Sequence, residues 1–207
     1  QSLLEAPLPG EGSLGVNSLH RNAFGPEAVR TVQLFAGLIT EGLQRLRDFE
    51  ALGWAEQSLK IEVALQRVRN QVLQMEREED WGKVVVCFWE EMKELVEFDE
   101  CSIDLVDLQQ ERFFLYQVGE GEMVQKGWIH ALPRSLKQAM ETGKPVYRRN
   151  REEMERYRDT ADTLVRRCSV VDVPFSGGTF AINSTKEDAF SVRDIQVLER
   201  FAQVMSE

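Results

Sequence analysis

Two stretches of this chain match each other without a gap at a constant offset of 166 positions. The offset carries Gly12 onto Gly178, Asn17 onto Asn183 and Ser18 onto Ser184. It also carries Ala23 onto Ala189, Phe24 onto Phe190, Phe35 onto Phe201 and Ala36 onto Ala202. A repeat of this kind constrains the fold before any local pattern does, because each copy has to form the same supersecondary unit. Residues 1–46 therefore read as the closing piece of one unit, and the second copy as the end of a complete one.

Local patterning gives both copies the same order of elements. Val170 to Phe175 is rich in β-branched residues and reads as a strand. Ser176, Gly177 and Gly178 make a turn, and Thr179 to Asn183 returns as the second arm of a hairpin. Ser191 stands as the N-cap of a helix with apolar residues at Ile195, Leu198, Phe201, Ala202 and Met205. In the first copy Leu3 to Leu8 and Ser13 to Asn17 are the two arms, and Pro26 opens the helix.

That first helix continues. Val32, Ala36, Ile39, Leu43 and Leu46 step by four and three, and so do Ile61, Leu65, Val68, Val72 and Met75. These are heptad seams. A phase break near Gly53 divides them, and another near Gly82 precedes the stripe Trp81, Val85, Phe88, Met92 and Leu95. The spacing predicts about 65 residues of mostly continuous helix, kinked at both breaks and dimerising in parallel through its seams. Beyond residue 100 the pattern predicts two strands, a short helix, a short strand, a charged helix over 151–167, and then the closing hairpin and helix. This order is α+β with a mainly antiparallel sheet.

Composition excludes several classes. The formal charge of −10 lacks the basic face of a dedicated nucleic-acid binder. No apolar run reaches the length of a membrane span, so no membrane contact is expected from this chain. Cys87, Cys101 and Cys168 are odd in number and lack CxxC spacing, which reads as free thiols in a reducing cytoplasm. No metal-ligand spacing, phosphate loop or nucleophile–base pair is present, so the expectation is no catalytic residue, no metal, no cofactor and no enzyme.

The block Gly178 to Ser184, followed by Ala189, Phe190, Ser191, Asp194 and Ile195, resembles the closing strand and helix of a GAF domain. Thr142 to Val146 is similar to that family's mid-domain turn. Val68 to Val72, leading to the strand at Cys101 to Val106, resembles the first helix and strand of GAF units in bacterial sensor proteins. The resemblance implies about six antiparallel strands with helices on both sides, preceded here by a long coiled-coil-type helix. It implies an upstream remnant over 1–46, a signalling helix over 47–80 and a complete GAF domain over 81–207. It further implies a regulatory module of a bacterial two-component or related signalling protein. Such a module is cytoplasmic and homodimeric through its helices, binds an unidentified small molecule and acts on an output domain such as a histidine kinase.

Some GAF domains bind cyclic nucleotides through an Asn, Lys, Phe, Asp, Glu set. Here Asn183, Lys186, Phe190 and Asp194 are present, but Lys186 is displaced and Ile195 replaces the Glu. His130 has no neighbouring Cys for a bilin and is the one histidine of the complete unit. Trp128, Tyr147 and Tyr157 are the aromatic candidates for a pocket. Arg166 and Arg167, in the one arginine-rich segment, would suit an anionic ligand. The alternatives are a structural GAF unit that binds nothing and a GAF-fold methionine sulfoxide reductase using Cys101 or Cys168.

Overall fold

The computed structural model describes residues 1–119, 122–157 and 167–207, without the side chains of 125 and 126. It divides into two compact units, Gln1–Leu59 and Lys60–Glu207.

In the first unit, β1 (Ser2–Leu8) and β2 (Gly12–Ser18) form a two-stranded antiparallel hairpin. The helix α1 (Pro26–Leu73) begins in this unit. Ala6, Val32 and Ala36 are buried together, with Leu4, Leu8 and Leu14 packed around them. Residues 1–20 therefore find a partner inside the chain: the hairpin closes on itself and on the first turns of α1. The repeat is structural as well as sequential. The offset that relates the two sequences carries β2 onto the last strand of the chain and the first residue of α1 onto the first residue of its last helix.

The helix runs without interruption through Gly53, where a Cβ would meet nothing within 4 Å. A phase break in a hydrophobic seam thus does not end a helix whose backbone hydrogen bonds continue. The interruption falls later, at 74–80. There the Asp80 carboxylate accepts from the amides of Glu76 and Arg77, at 3.0 and 3.1 Å, and from Lys83 Nζ at 2.7 Å. α2 (Trp81–Met92) follows, with Gly82 inside it.

The second unit is built on six antiparallel strands. These are β3 (Glu100–Asp107), β4 (Arg112–Gly119), β5 (Glu122–Ile129), β6 (Val146–Arg148), β7 (Ser169–Phe175) and β8 (Gly178–Ser184). Their order in the sheet is β5-β4-β3-β8-β7-β6. The short helices α3 (Arg134–Thr142) and α4 (Arg151–Arg156) flank β6. The last helix, α5 (Val192–Met205), starts at Ser191. The Ser191 hydroxyl accepts from the Asp194 amide at 3.2 Å, and the Asp194 carboxylate accepts from the Ser191 amide at 2.8 Å. That is the reciprocal cap its sequence predicts.

The hydrophobic core lies on one face of this sheet. Ile61, Leu65 and Val68 of α1, Val85, Phe88 and Met92 of α2, and Leu198 and Phe201 of α5 are buried against Cys101, Ile103, Val171, Val173, Phe180 and Ile182. The Phe88 ring meets Phe180 and Phe201 edge-on, at 4.8 and 5.4 Å. Burial of each such aromatic is worth about 1.5–3 kcal/mol. The second and third apolar stripes are thus consumed by the chain's own sheet, and the first two residues of the first stripe by its own hairpin. Intrachain partners cover these residues, so a parallel dimer would have to use other positions of the helix.

Candidate polar site on the sheet face opposite the core

Strand alternation places every second side chain of β3, β8 and β7 on the face turned away from the core. On β3 these are Glu100, Ser102 and Asp104. The register sets Asp104 beside Thr179, Ser102 beside Ala181 and Glu100 beside Asn183 of β8. Asp172 of β7 lies across from Ala181, and Arg148 of β6 across from Val170. Ser102, Asp104, Arg148, Asp172, Thr179 and Asn183 are all buried. The core face of the same strands is apolar, whereas this face holds the buried polar groups together with the small apolar cluster of Met154, Val170 and Ala181.

Close strand packing fixes the arrangement. A Cβ on Gly178 would stand 2.1 Å from the backbone oxygen of Asp104, so β8 approaches β3 as only glycine allows. Charges on the polar face are matched in pairs. Arg148 is ion-paired with Asp172 in a buried contact. Arg167 donates to Glu100 Oε2 from Nη2 at 2.8 Å and from Nε at 3.1 Å, and Gln117 Nε2 donates to the same oxygen at 3.0 Å.

Asp104 stands outside these pairs. Among the described residues its carboxylate accepts one hydrogen bond, from Ser102 Oγ at 3.1 Å. Burial, followed by the nearby Asp172 charge, pushes its carboxyl up to about 7, against weaker pulls from Ser102, Arg167 and Arg148. Beside it, the fully buried Thr179 hydroxyl has no hydrogen-bond partner among the described residues. Ser135 Oγ of α3 is in the same condition.

The residues expected from sequence are dispersed. Trp128 and Tyr147 sit on the two edge strands, β5 and β6, on the core side of the sheet. Trp128 meets Phe114 edge-on at 5.6 Å, and Arg112 lies 4.1 Å over its ring. The Tyr147 hydroxyl accepts from the Phe190 amide at 3.0 Å and donates to Asp188 at 3.3 Å. Tyr157 donates to Gln138 Oε1 at 3.2 Å. Of the expected set, the structure brings Arg167 to the polar face, through Glu100. Arg166 lies outside the described residues. The missed residues carried a signal: a lone Asp172 inside the β-branched run Val170 to Val173, and Asp104 alternating with Ile103 and Leu105.

The cysteines behave differently from one another. Cys101 is fully buried on the core side and burial raises its thiol pKa, which disfavours the thiolate. Cys168 is half-buried just before β7. Among the described residues no cluster of three or more His, Cys, Asp or Glu could hold a metal ion, and no helix is long and apolar enough to cross a membrane.

No family model and no curated protein matches the chain. Solved structures do. The chain is similar to the free methionine-R-sulfoxide reductase of Neisseria meningitidis in complex with its substrate, with 18% identity and a TM-score of 0.54 over 73% of this chain and 88% of that one. It is similar to the GAF domain of a phosphoenolpyruvate-protein phosphotransferase from Coxiella burnetii, with 12% identity and a TM-score of 0.56 over 72% of this chain and 91% of that one. The corresponding Acinetobacter domain gives 16% identity and a TM-score of 0.53 over 69% and 88%. The expectation that the chain is not an enzyme is corrected by these neighbours, because enzymes share its architecture and the fold gives no ground for excluding catalysis. The six-stranded sheet with its flanking helices is a GAF fold.

Proposed function

We propose that the chain is a cytoplasmic sensor module of a bacterial signalling protein. In this reading it binds a small polar molecule on the face that holds Asp104, Asp172, Arg148 and Thr179, and passes the change through α1 to an output domain such as a histidine kinase. The observation that carries the reading is the buried polar face itself. Desolvating six polar side chains beside an apolar core is costly for a purely structural unit, whereas a ligand site uses such groups. Binding moves the helix only if it favours one of two packings over the other.

The same reading assigns residues 1–46 to a second GAF-fold unit as its closing hairpin and helix, and 47–80 to the signalling segment. Equivalent positions support it: Phe201 is fully buried, while Phe35 is 56% exposed; Ile182 is fully buried, while Val16 is 36% exposed. The apolar face of Val16, Phe35 and Leu38 is the half-core that the remaining strands of such a unit would cover.

The test is a thermal-shift screen with nucleotides, haem, bilins and small acids and amines, each hit repeated on an Arg148→Met/Asp172→Leu variant. A hit should raise Tm in step with ligand concentration over Kd and lose that effect in the variant. Binding unchanged in the variant would place the ligand elsewhere and remove the reading.

A further inference from the structure

We propose that the polar face binds a primary ammonium group, with Asp104 as its counter-ion and the Thr179 and Ser102 hydroxyls as its other acceptors. This deepens the sensor reading and rests on it.

Three observations carry the assignment. First, the charges on the face are not balanced. Arg148 is paired with Asp172 and Arg167 with Glu100, which leaves Asp104 as the carboxyl in no ion pair among the described residues. Second, Thr179 is directly across from Asp104, on the same side of the sheet, fully buried, and its hydroxyl has no partner among the described residues. Buried hydroxyls are ordinarily hydrogen-bonded, and an orphan beside an unpaired carboxyl marks a place for a donor. Third, Ser102 already spends its proton on Asp104, so what remains at its oxygen are acceptor lone pairs.

An ammonium has three N–H donors and no acceptor. Asp104, Thr179 and Ser102 supply three acceptors from adjacent positions of two hydrogen-bonded strands. Among the described residues a carboxylate or phosphate ligand would find no free cation beside Asp104, because Arg148 and Arg167 are each held by another carboxylate. A hard metal ion calls for about six oxygen ligands, more than this group offers. The remaining charged and polar groups on the face are Glu100, Gln117, Arg148, Arg167, Asp172 and Asn183. The first five are hydrogen-bonded or ion-paired already, and Asn183 lies across from Glu100, away from the Asp104–Thr179 pair.

The experiment uses three probes of one size: propylammonium, propan-1-ol and propionate. Tm and the ¹³C titration of the Asp104 carboxyl are followed for the whole chain. Propylammonium should raise Tm with concentration and lower the Asp104 midpoint by about one pH unit or more, which is a tenfold or greater preference for the ionised form. Asp104→Asn should weaken its binding at least about tenfold. Thr179→Val, which keeps the shape and removes the orphan hydroxyl, should weaken binding without lowering the Tm of the free protein. Equal binding of the alcohol or the anion would overturn the proposal, as would unchanged binding in Asp104→Asn. If an uncharged or anionic hit from the wider screen occupies this face and propylammonium does not, the ammonium assignment fails and the sensor reading stands. If neither set binds, both fail.

Discussion

Asp104 sits in a strand whose neighbours Ile103 and Leu105 both point into the core, so its own side chain has one place to go, the opposite face. Burial there holds the proton on the carboxyl up to about 7, well above its ordinary 3.8. The linkage sign follows. Between about pH 4 and 7 the folded chain keeps a proton that the unfolded chain has released, so stability falls as pH rises through that window. The slope is at most about 1.4 kcal/mol per pH unit for one such group, and it vanishes below the unfolded value and above the folded one. Chemical denaturation across pH 4 to 8 should show this decline in the parent chain and a flatter profile in Asp104→Asn. A decline of equal size in the variant would assign the effect to other groups. Thr179 makes the same point without a charge: a buried hydroxyl with no partner is retained at a cost to stability.

At the scale of elements, the closing hairpin and helix occur twice with different surroundings. β8 is held between β3 and β7, and Gly178 admits the β3 backbone at a distance no side chain would tolerate. β2 is paired with β1 alone, and a Cβ at Gly12 would meet nothing within 4 Å. A two-stranded sheet is marginal by itself. Hydrogen exchange should therefore be faster for the β2 amides than for their β8 counterparts by about two orders of magnitude or more. Equal protection of β2 and β8 in the present chain would contradict the assignment of residues 1–46 to an incomplete sheet.

At the scale of the whole molecule, the length of α1 leaves apolar side chains that neither core uses. Phe49, Leu52 and Leu59 are exposed and spaced by three and seven, which are heptad positions, though offset from the seams read in the sequence. A second copy of the chain supplies the same row, and we propose it as the partner. Sedimentation velocity of the parent chain should show a dimer, and Leu52→Glu with Leu59→Glu should shift it to monomer while leaving the far-ultraviolet dichroism unchanged. A monomeric parent at high concentration would end the proposal.

Much of this architecture was legible in the residues. The repeat, the antiparallel α+β order, the Ser191 cap and the long helix all follow from short-range spacing, because turns, caps and alternation are set by neighbours in the chain. What covers each apolar stripe was not legible. Ile61, Leu65 and Val68 satisfy a heptad as well as they satisfy a sheet, and periodicity records that a face is buried, not against what. The site was missed for the same reason. Ser102, Asp104, Arg148, Asp172 and Thr179 are spread over four strands, and only the register of β3, β8, β7 and β6 brings them to one face. Sequence by itself determined most of the elements and which residues alternate, but not the edge strand β5, whose stretch carries Gly127 and a polar pattern. Tertiary structure alone decided which alternating set is dry and which is polar, because that depends on pairing between strands far apart in the chain.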